Sequence, residues 1–476
     1  MMQYDEEYFN SEDFHELLDS YEAAVANGGH AFMDADDLVD IADYYNMAGE
    51  YDKAVEAVDY AIQLYPNATL PNVFKAREAL QNADYDTALQ YADNIEQKDD
   101  PDYHYLKAEI LLAQGHIDES DRYLRDYGMT VPADEYQDFV KDCANLYVDY
   151  GISDKAYEWM MRSKGDNSDD FKELMARTLF GLGKYKDSER IFNELIDHNP
   201  FSKHYWNALA SVQFMNEEYN DSITSSEYAI AIDPNDPDGL FSKANGLFRL
   251  GNYEEALDYY QRYSKILPDD EQCLLHQGTC LVNLGRPQEA IAILKEAIAV
   301  APSGSPFLPQ IYQEQAFCYS ALKDIQKALA ALDNTLTLEC DHIDMLVIRG
   351  HILLENGLIK EAEEAFKKAV VQSDNAPSVL LRVIVSLYDN RYVNASYLMF
   401  KKYFQLVNTY DPAFKDGYAY MALCCYDLGR TDEFMKYLRK AVKHNPHETR
   451  SVLGFIFPED MAVEDYYGYM EEKLKN

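Results

Sequence analysis

No lysine or arginine occurs before Lys53, and over the whole chain 42 basic residues stand against 84 acidic ones, a formal net charge of −42. Nucleic acid and anionic lipid are repelled by such a balance at ordinary salt, which excludes both as expected partners and leaves a basic partner compatible. Long apolar runs are also missing. The hydrophobic 47% is spread evenly, so no membrane-spanning helix is expected and the chain reads as soluble. Met1–Glu7 has neither the basic start nor the apolar stretch of a secretory signal, and a cytoplasmic protein is expected. There are seven cysteines, none in a Cys-x-x-Cys pair, which argues against a disulfide framework or a zinc site and for thiols packed in a core.

Signatures of chemistry are equally absent. No His-Glu-x-x-His, Gly-x-Ser-x-Gly, phosphate-cradling or dinucleotide-binding glycine motif occurs. Asp233–Gly239 has the acidic look of a calcium loop, but Pro237 and Ala244 stand where ligands are needed, so a turn is expected. His444 and His447 flank Asn445-Pro446 without a third ligand nearby. An enzyme, a cofactor and a metal are therefore not expected.

What the chain does contain is a register that recurs roughly every thirty-four residues. With each unit numbered from its own first residue, place 8 is small: Ala42, Ala76, Ala108, Ala144, Ala176, Ala210, Ala244, Gly278, Ala316, Gly350, Val383 and Ala422, with Val383 the one departure. Place 20 is also small, from Ala54, Ala88, Ser120, Ala156, Ser188 and Ser222 through Ala256, Ala290, Ala328, Ala362 and Ala395 to the exception Phe434. Small residues at both places let two antiparallel helices approach closely. Glycine is common at place 15, where a left-handed residue closes the first helix, and proline recurs at place 32, as in Pro200, Pro234 and Pro268, where the second helix stops.

With Trp206, Leu209, Ala210, Tyr219, Ala229 and Pro234 at places 4, 7, 8, 17, 27 and 32 of its central unit, the chain resembles the tetratricopeptide repeat family. The resemblance implies an all-α fold: a right-handed α-solenoid of about twelve helical hairpins with terminal capping helices. Residues 1–34 are expected to form a single N-terminal capping helix opened by Ser11, carrying Phe14, Leu17, Leu18, Tyr21 and Val25, and closed by Gly28-Gly29. Eight repeats are expected over 35–304, a proline-dense linker insertion at 305–308 that either hinges or merely lengthens a loop, four repeats over 309–448, and a C-terminal capping helix within 449–476.

The resemblance further implies that first-helix places 2, 5, 6 and 9 stay out of the packing and face a concave groove that binds protein or peptide partners. Those places carry Lys141, Asn145, Arg177, His204, Asn207, Ser211, Ser242, Asn245, His276 and Thr279, a run of hydrogen-bonding side chains suited to an extended peptide. Lys141 and Asn145 match the start of the family's clamp for a terminal carboxylate, but Leu174, His204 and Ala208 depart from its continuation. In the first unit the same places hold Asp36, Asp40 and Asp43, within residues 1–168, which carry 38 acidic and 11 basic residues. That segment reads either as a solvated face or as an acidic docking surface. The implied function is a non-enzymatic scaffold or adaptor. The rivals are a co-chaperone-like adaptor for C-terminal carboxylates and an enzyme framed by the array. The sequence leaves partner and oligomeric state open.

Overall fold

The computed structural model describes residues 6–9, 11–26, 33–163, 165–411, 413–458 and 461–475, and among them it is all-α. Contacts divide the chain into two compact units, Met1–Glu217 and Glu218–Asn476, a division that falls between the two helices of the central repeat. In the first unit the hairpins begin with Ala35–Met47 and Tyr51–Leu64 and continue to Asp169–Gly181 and Tyr185–His198, followed by Lys203–Met215. In the second, Tyr219–Ile232 precedes hairpins running from Pro237–Arg249 and Tyr253–Ser264 to Tyr418–Asp427 and Thr431–His444.

The small places set the distance between the two helices of each hairpin. Ala42, Ala76, Ala108, Ala144, Ala176, Ala210, Ala244, Ala316 and Ala422 are all 0% exposed, and so are Ala54, Ala88, Ala156, Ala256, Ala290 and Ala328 at place 20. Where place 20 is serine, its buried hydroxyl needs a partner. Ser120 donates to the carbonyl of Ala108 at 3.1 Å and Ser188 to that of Ala176 at 2.8 Å, so the two small places touch across the hairpin.

Place 15 takes a positive φ throughout. Gly49, Gly115, Gly151, Gly183, Gly251, Gly285, Gly357 and Gly429 lie between 65° and 81°, and Ala83, Glu217, Lys323 and Arg391 adopt 56° to 69° in the repeats without glycine. The geometry of the turn thus persists where its preferred residue is gone. Arg391 also corrects the register of the eleventh unit. Counting the repeat from 376 makes Ala395 the small residue, yet Ala395 is exposed while Ser396 is 0% exposed, as the count from Pro377 requires. The cause is a pair of left-handed residues, Asp374 and Asn375, which insert one residue before Pro377–Asp389.

The expectation of a single N-terminal helix is corrected to two, Glu6–Phe9 and Glu12–Ala26, because Phe9 also turns inward. Phe9, Phe14, Leu18 and Tyr21 are buried against Leu38, Ile41 and Tyr45, while Val25 is 54% exposed. Ser11 accepts the Phe14 N–H at 3.2 Å, the expected helix start, and Gly28-Gly29 lie outside the described residues. At the other end Pro446–Leu453 and Tyr466–Lys475 follow the last hairpin, with Phe457 and Tyr466 stacked at 3.8 Å.

Within Pro302–Pro309 the chain is exposed at Pro302, Ser303, Gly304 and Pro306 and buried at Ser305, Leu308 and Pro309. Ser305 is 6% exposed, donates to Glu271 at 3.2 Å and accepts the Phe307 N–H, and the next helix starts at Leu308. Asp233–Gly239 is an inter-repeat turn whose buried Asp236 caps the following helix by accepting the Gly239 N–H at 2.8 Å. Six of the seven cysteines are buried, and all seven are free thiols.

Candidate peptide-binding grooves

The first helices of neighbouring repeats lie side by side, so a side chain at place 9 reaches back to places 9 and 13 of the repeat before it. Arg177 does this: its guanidinium donates to Asn145 and to Asp149, each at 3.1 Å. Lys141 is held by Asp138 at 2.9 Å, and Asp166 lies 4.0 Å away. His204 contacts the buried Glu173 carboxylate through Nε2 at 2.9 Å. Ser211 is exposed and its hydroxyl turns back onto the carbonyl of Asn207 at 3.0 Å. These six residues share the first unit, but several of their polar atoms are committed within the fold.

In the second unit Asn245 accepts the Tyr260 hydroxyl at 2.6 Å. His276 Nδ1 bonds the Gln272 carbonyl at 2.7 Å, with the rings of Phe241, Phe248 and Tyr260 within 6.0 Å, and burial lowers the imidazole pKa, which keeps it neutral. Thr279 donates to Leu275 at 3.0 Å, and Ser242 is half-buried.

One premise of the sequence reading is overturned. Place 5 enters the packing: Val39, Val73, Glu173, Leu275 and Val347 are all under 9% exposed, and Leu174 at place 6 is 7% exposed. Adjacent first helices are close enough that this row fills the seam between them. Place 9 is the row that stays half-open.

A deep opening lies in the first unit, among repeats that look irregular in sequence. It is a cleft of about 710 Å³ lined mainly by the first helices of the first four repeats, with Tyr51 added from the start of the first repeat's second helix. Val39, Met47, Tyr51, Leu70, Val73 and Phe74 form an apolar side; Asp43, Arg77, Asp102, Tyr105, Glu109 and Asp142 form a polar one. Arg77, the one cation among the described lining residues, is 2.8 Å from Glu109. Tyr105 donates its hydroxyl to Asp142 at 2.9 Å. Burial pushes the Asp43 carboxyl up to about 6, with Asp40 adding to the shift and Arg77 opposing it. Asp102 and Asp142 are raised as well, burial again first among the causes. Of the expected acidic trio, then, Asp43 faces this cleft, Asp40 accepts the Tyr8 hydroxyl at 2.8 Å, and Asp36 is exposed.

The sequence carried the signal for this cleft. Asp43, Arg77 and Glu109 occupy place 9 of three consecutive repeats, Asp102 place 2, Tyr105 place 5 and Asp142 place 6. Asp43 belongs to the expected acidic trio, whereas Arg77, Asp102, Tyr105, Glu109 and Asp142 are missed when the groove places of the following repeats are taken up only from Lys141 onward.

Tetratricopeptide repeat models match residues 75–125 and 174–237, and again 343–370 and 417–448, in both units of the fold. The chain is a tetratricopeptide repeat protein. A third model, for anaphase-promoting complex, cyclosome, subunit 3, matches residues 215–297 of this repeat protein. The TPR repeat-containing protein YpiA of Bacillus subtilis is 22% identical over 387 residues, 73% of this chain and 90% of the relative. MJ1428 of Methanocaldococcus jannaschii, also a TPR repeat-containing protein, is 21% identical over 443 residues, covering 79% and 76%. Tetratricopeptide repeat protein 13 of Homo sapiens is 25% identical over 208 residues, which span 20% of that protein. Among solved structures, a tetratricopeptide repeat protein from Parabacteroides merdae aligns with a TM-score of 0.41 at 16% identity, over 53% of this chain and 98% of that one.

Proposed function

We propose that this tetratricopeptide repeat protein is a non-enzymatic scaffold that holds an extended peptide or a helix of a partner protein against the first helices of its repeats. The observation that carries the reading is the half-open row at place 9 beside the cleft of about 710 Å³, a size within the ordinary range of ligand sites. Polar side chains that are neither fully buried nor free fit a surface that exchanges internal hydrogen bonds for those of a peptide backbone. Seven free thiols suit a reducing cytosolic setting. Capture of a terminal carboxylate is disfavoured: Lys141 is engaged by Asp138, and buried Leu174 stands where the family's clamp needs a polar residue.

The test is affinity capture from source cells, followed by titration of the captured protein against a variant with Arg177, Asn207 and Asn245 replaced by Ala. Each lost contact should cost about 0.5–1.5 kcal/mol, which together weakens binding more than roughly tenfold. Unchanged affinity would exclude binding through these first-helix residues.

A further inference from the structure

The cleft of the first four repeats is two-sided in a way that selects its occupant. Its apolar side includes Met47 and Tyr51, which are 57% and 68% exposed, a poor arrangement for a surface that meets only water. Its polar side is over-supplied with carboxylates. Glu109 has Arg77, Asp149 has Arg177 and Glu78 has Lys75, while Asp43, Asp102 and Asp142 line the same cleft and no described lysine or arginine forms an ion pair with them. Asp142 takes its hydrogen bond from the neutral Tyr105 hydroxyl, which fixes the carboxylate without neutralising it. The two sides are complementary to a side chain with an apolar stem and a positive tip.

We infer that the cleft between the first helices of the first four repeats binds a partner segment in which lysine or arginine alternates with apolar residues, the cation seated between Asp43, Asp102 and Asp142. This rests on the peptide-scaffold reading above and adds the chemistry of the partner. The rest of the acidic segment supplies steering, which is general and salt-sensitive. The cleft supplies selection, because a bound cation gains the half-buried Asp43 and Asp102 and the more exposed Asp142 while its neighbours cover the apolar side.

The experiment titrates the full-length protein with three fluorescent nonapeptides: alternating Leu and Arg, alternating Gly and Arg, and alternating Leu and Glu. The Leu-Arg peptide is expected to bind at least tenfold more tightly than the Gly-Arg peptide of equal charge, and the Leu-Glu peptide not at all. Asp43→Asn, Asp102→Asn and Asp142→Asn together should weaken the Leu-Arg peptide more than tenfold. Neutralising exposed acids outside the cleft (Asp118→Asn, Glu119→Gln and Asp134→Asn) should change it less than twofold. Equal loss in the two triple variants, or equal affinity for the two arginine peptides, would overturn the inference in favour of diffuse attraction. Should the cleft variant fail to fold, a photoreactive Leu-Arg peptide cross-linked to the parent decides: adducts around Asp43, Asp102 and Asp142 support the inference. Adducts on other first helices overturn the cleft while leaving groove binding intact, and adducts confined to second helices overturn both.

Discussion

Ser188 and Ala176 meet across their hairpin: the hydroxyl of the one donates to the main-chain carbonyl of the other at 2.8 Å, and both side chains are 0% exposed. Ser120 repeats the contact with Ala108. In these two repeats place 20 must therefore be small, and its serine reaches this carbonyl.

Replacing Ser188 by Ala should cost about 0.5–1.5 kcal/mol, the net value of one hydrogen bond. Replacing it, or Ala256, by Leu should cost about 1–3 kcal/mol through overpacking. Lys141→Leu, at a place 5 that stays half-exposed, should stay within about 0.5 kcal/mol of the parent. Urea unfolding ranks the variants, and equal sensitivity at Ala256 and Lys141 would mean that the repeat register is wrong.

At place 8 of the eighth repeat a Cβ on Gly278 would lie 2.5 Å from Cδ2 of Leu294, the large residue that fills the space a methyl would need. Gly278→Ala should therefore destabilise by about 1–3 kcal/mol in the parent but have almost no effect in a Leu294→Ala background. A double-mutant cycle with additive costs would contradict this contact.

Lys323 and Arg391 hold the left-handed turn at φ of 62° and 69°, where most other repeats use glycine. A side chain there strains the backbone, so Lys323→Gly and Arg391→Gly should each raise stability by up to about 1 kcal/mol. Gly251→Ala, at φ 80°, should lower it by a similar amount. Melting temperatures that move in the opposite directions would show that the turn is not under this constraint.

Half-buried Glu314 gives the fold a pH dependence. Burial alone raises its pKa from 4.5 to about 7. A raised acid favours the folded state fully below the unfolded value and progressively less as pH climbs to the folded one, so stability is lost between 4.5 and about 7 and stays lost above. Glu314→Gln should match the parent at pH 4 and exceed it at pH 8 by roughly 1–3 kcal/mol, less than the full shift because the side chain keeps some solvent contact. A parallel pair of stability curves would refute the assignment.

The hairpins were legible because their causes are local. Small residues at places 8 and 20 and a left-handed place 15 each answer a steric demand that one residue meets or fails. The eleventh register slipped because Asp374 and Asn375, types that tolerate a left-handed backbone without requiring it, both adopt one here. The site was harder to read. Place 5 is polar in some repeats and apolar in others, and only the spacing of neighbouring first helices decides that Glu173 is buried there. Arg177 reads as a free cation until Asn145 and Asp149 are seen within reach. The cleft carboxylates come from three different repeats, so only stacking brings Asp43, Asp102 and Asp142 to one opening.

Site-specific photo-crosslinking of the captured partner tests groove binding most directly. A photoreactive residue at Gln81, Ser211 or Ser242 samples the first-helix side, and one at Lys186, Arg190 or Glu254 samples the second helices. Partner adducts from the first set, strongest at Gln81 beside the acidic cleft, are the expected result. Adducts confined to the second set would contradict it.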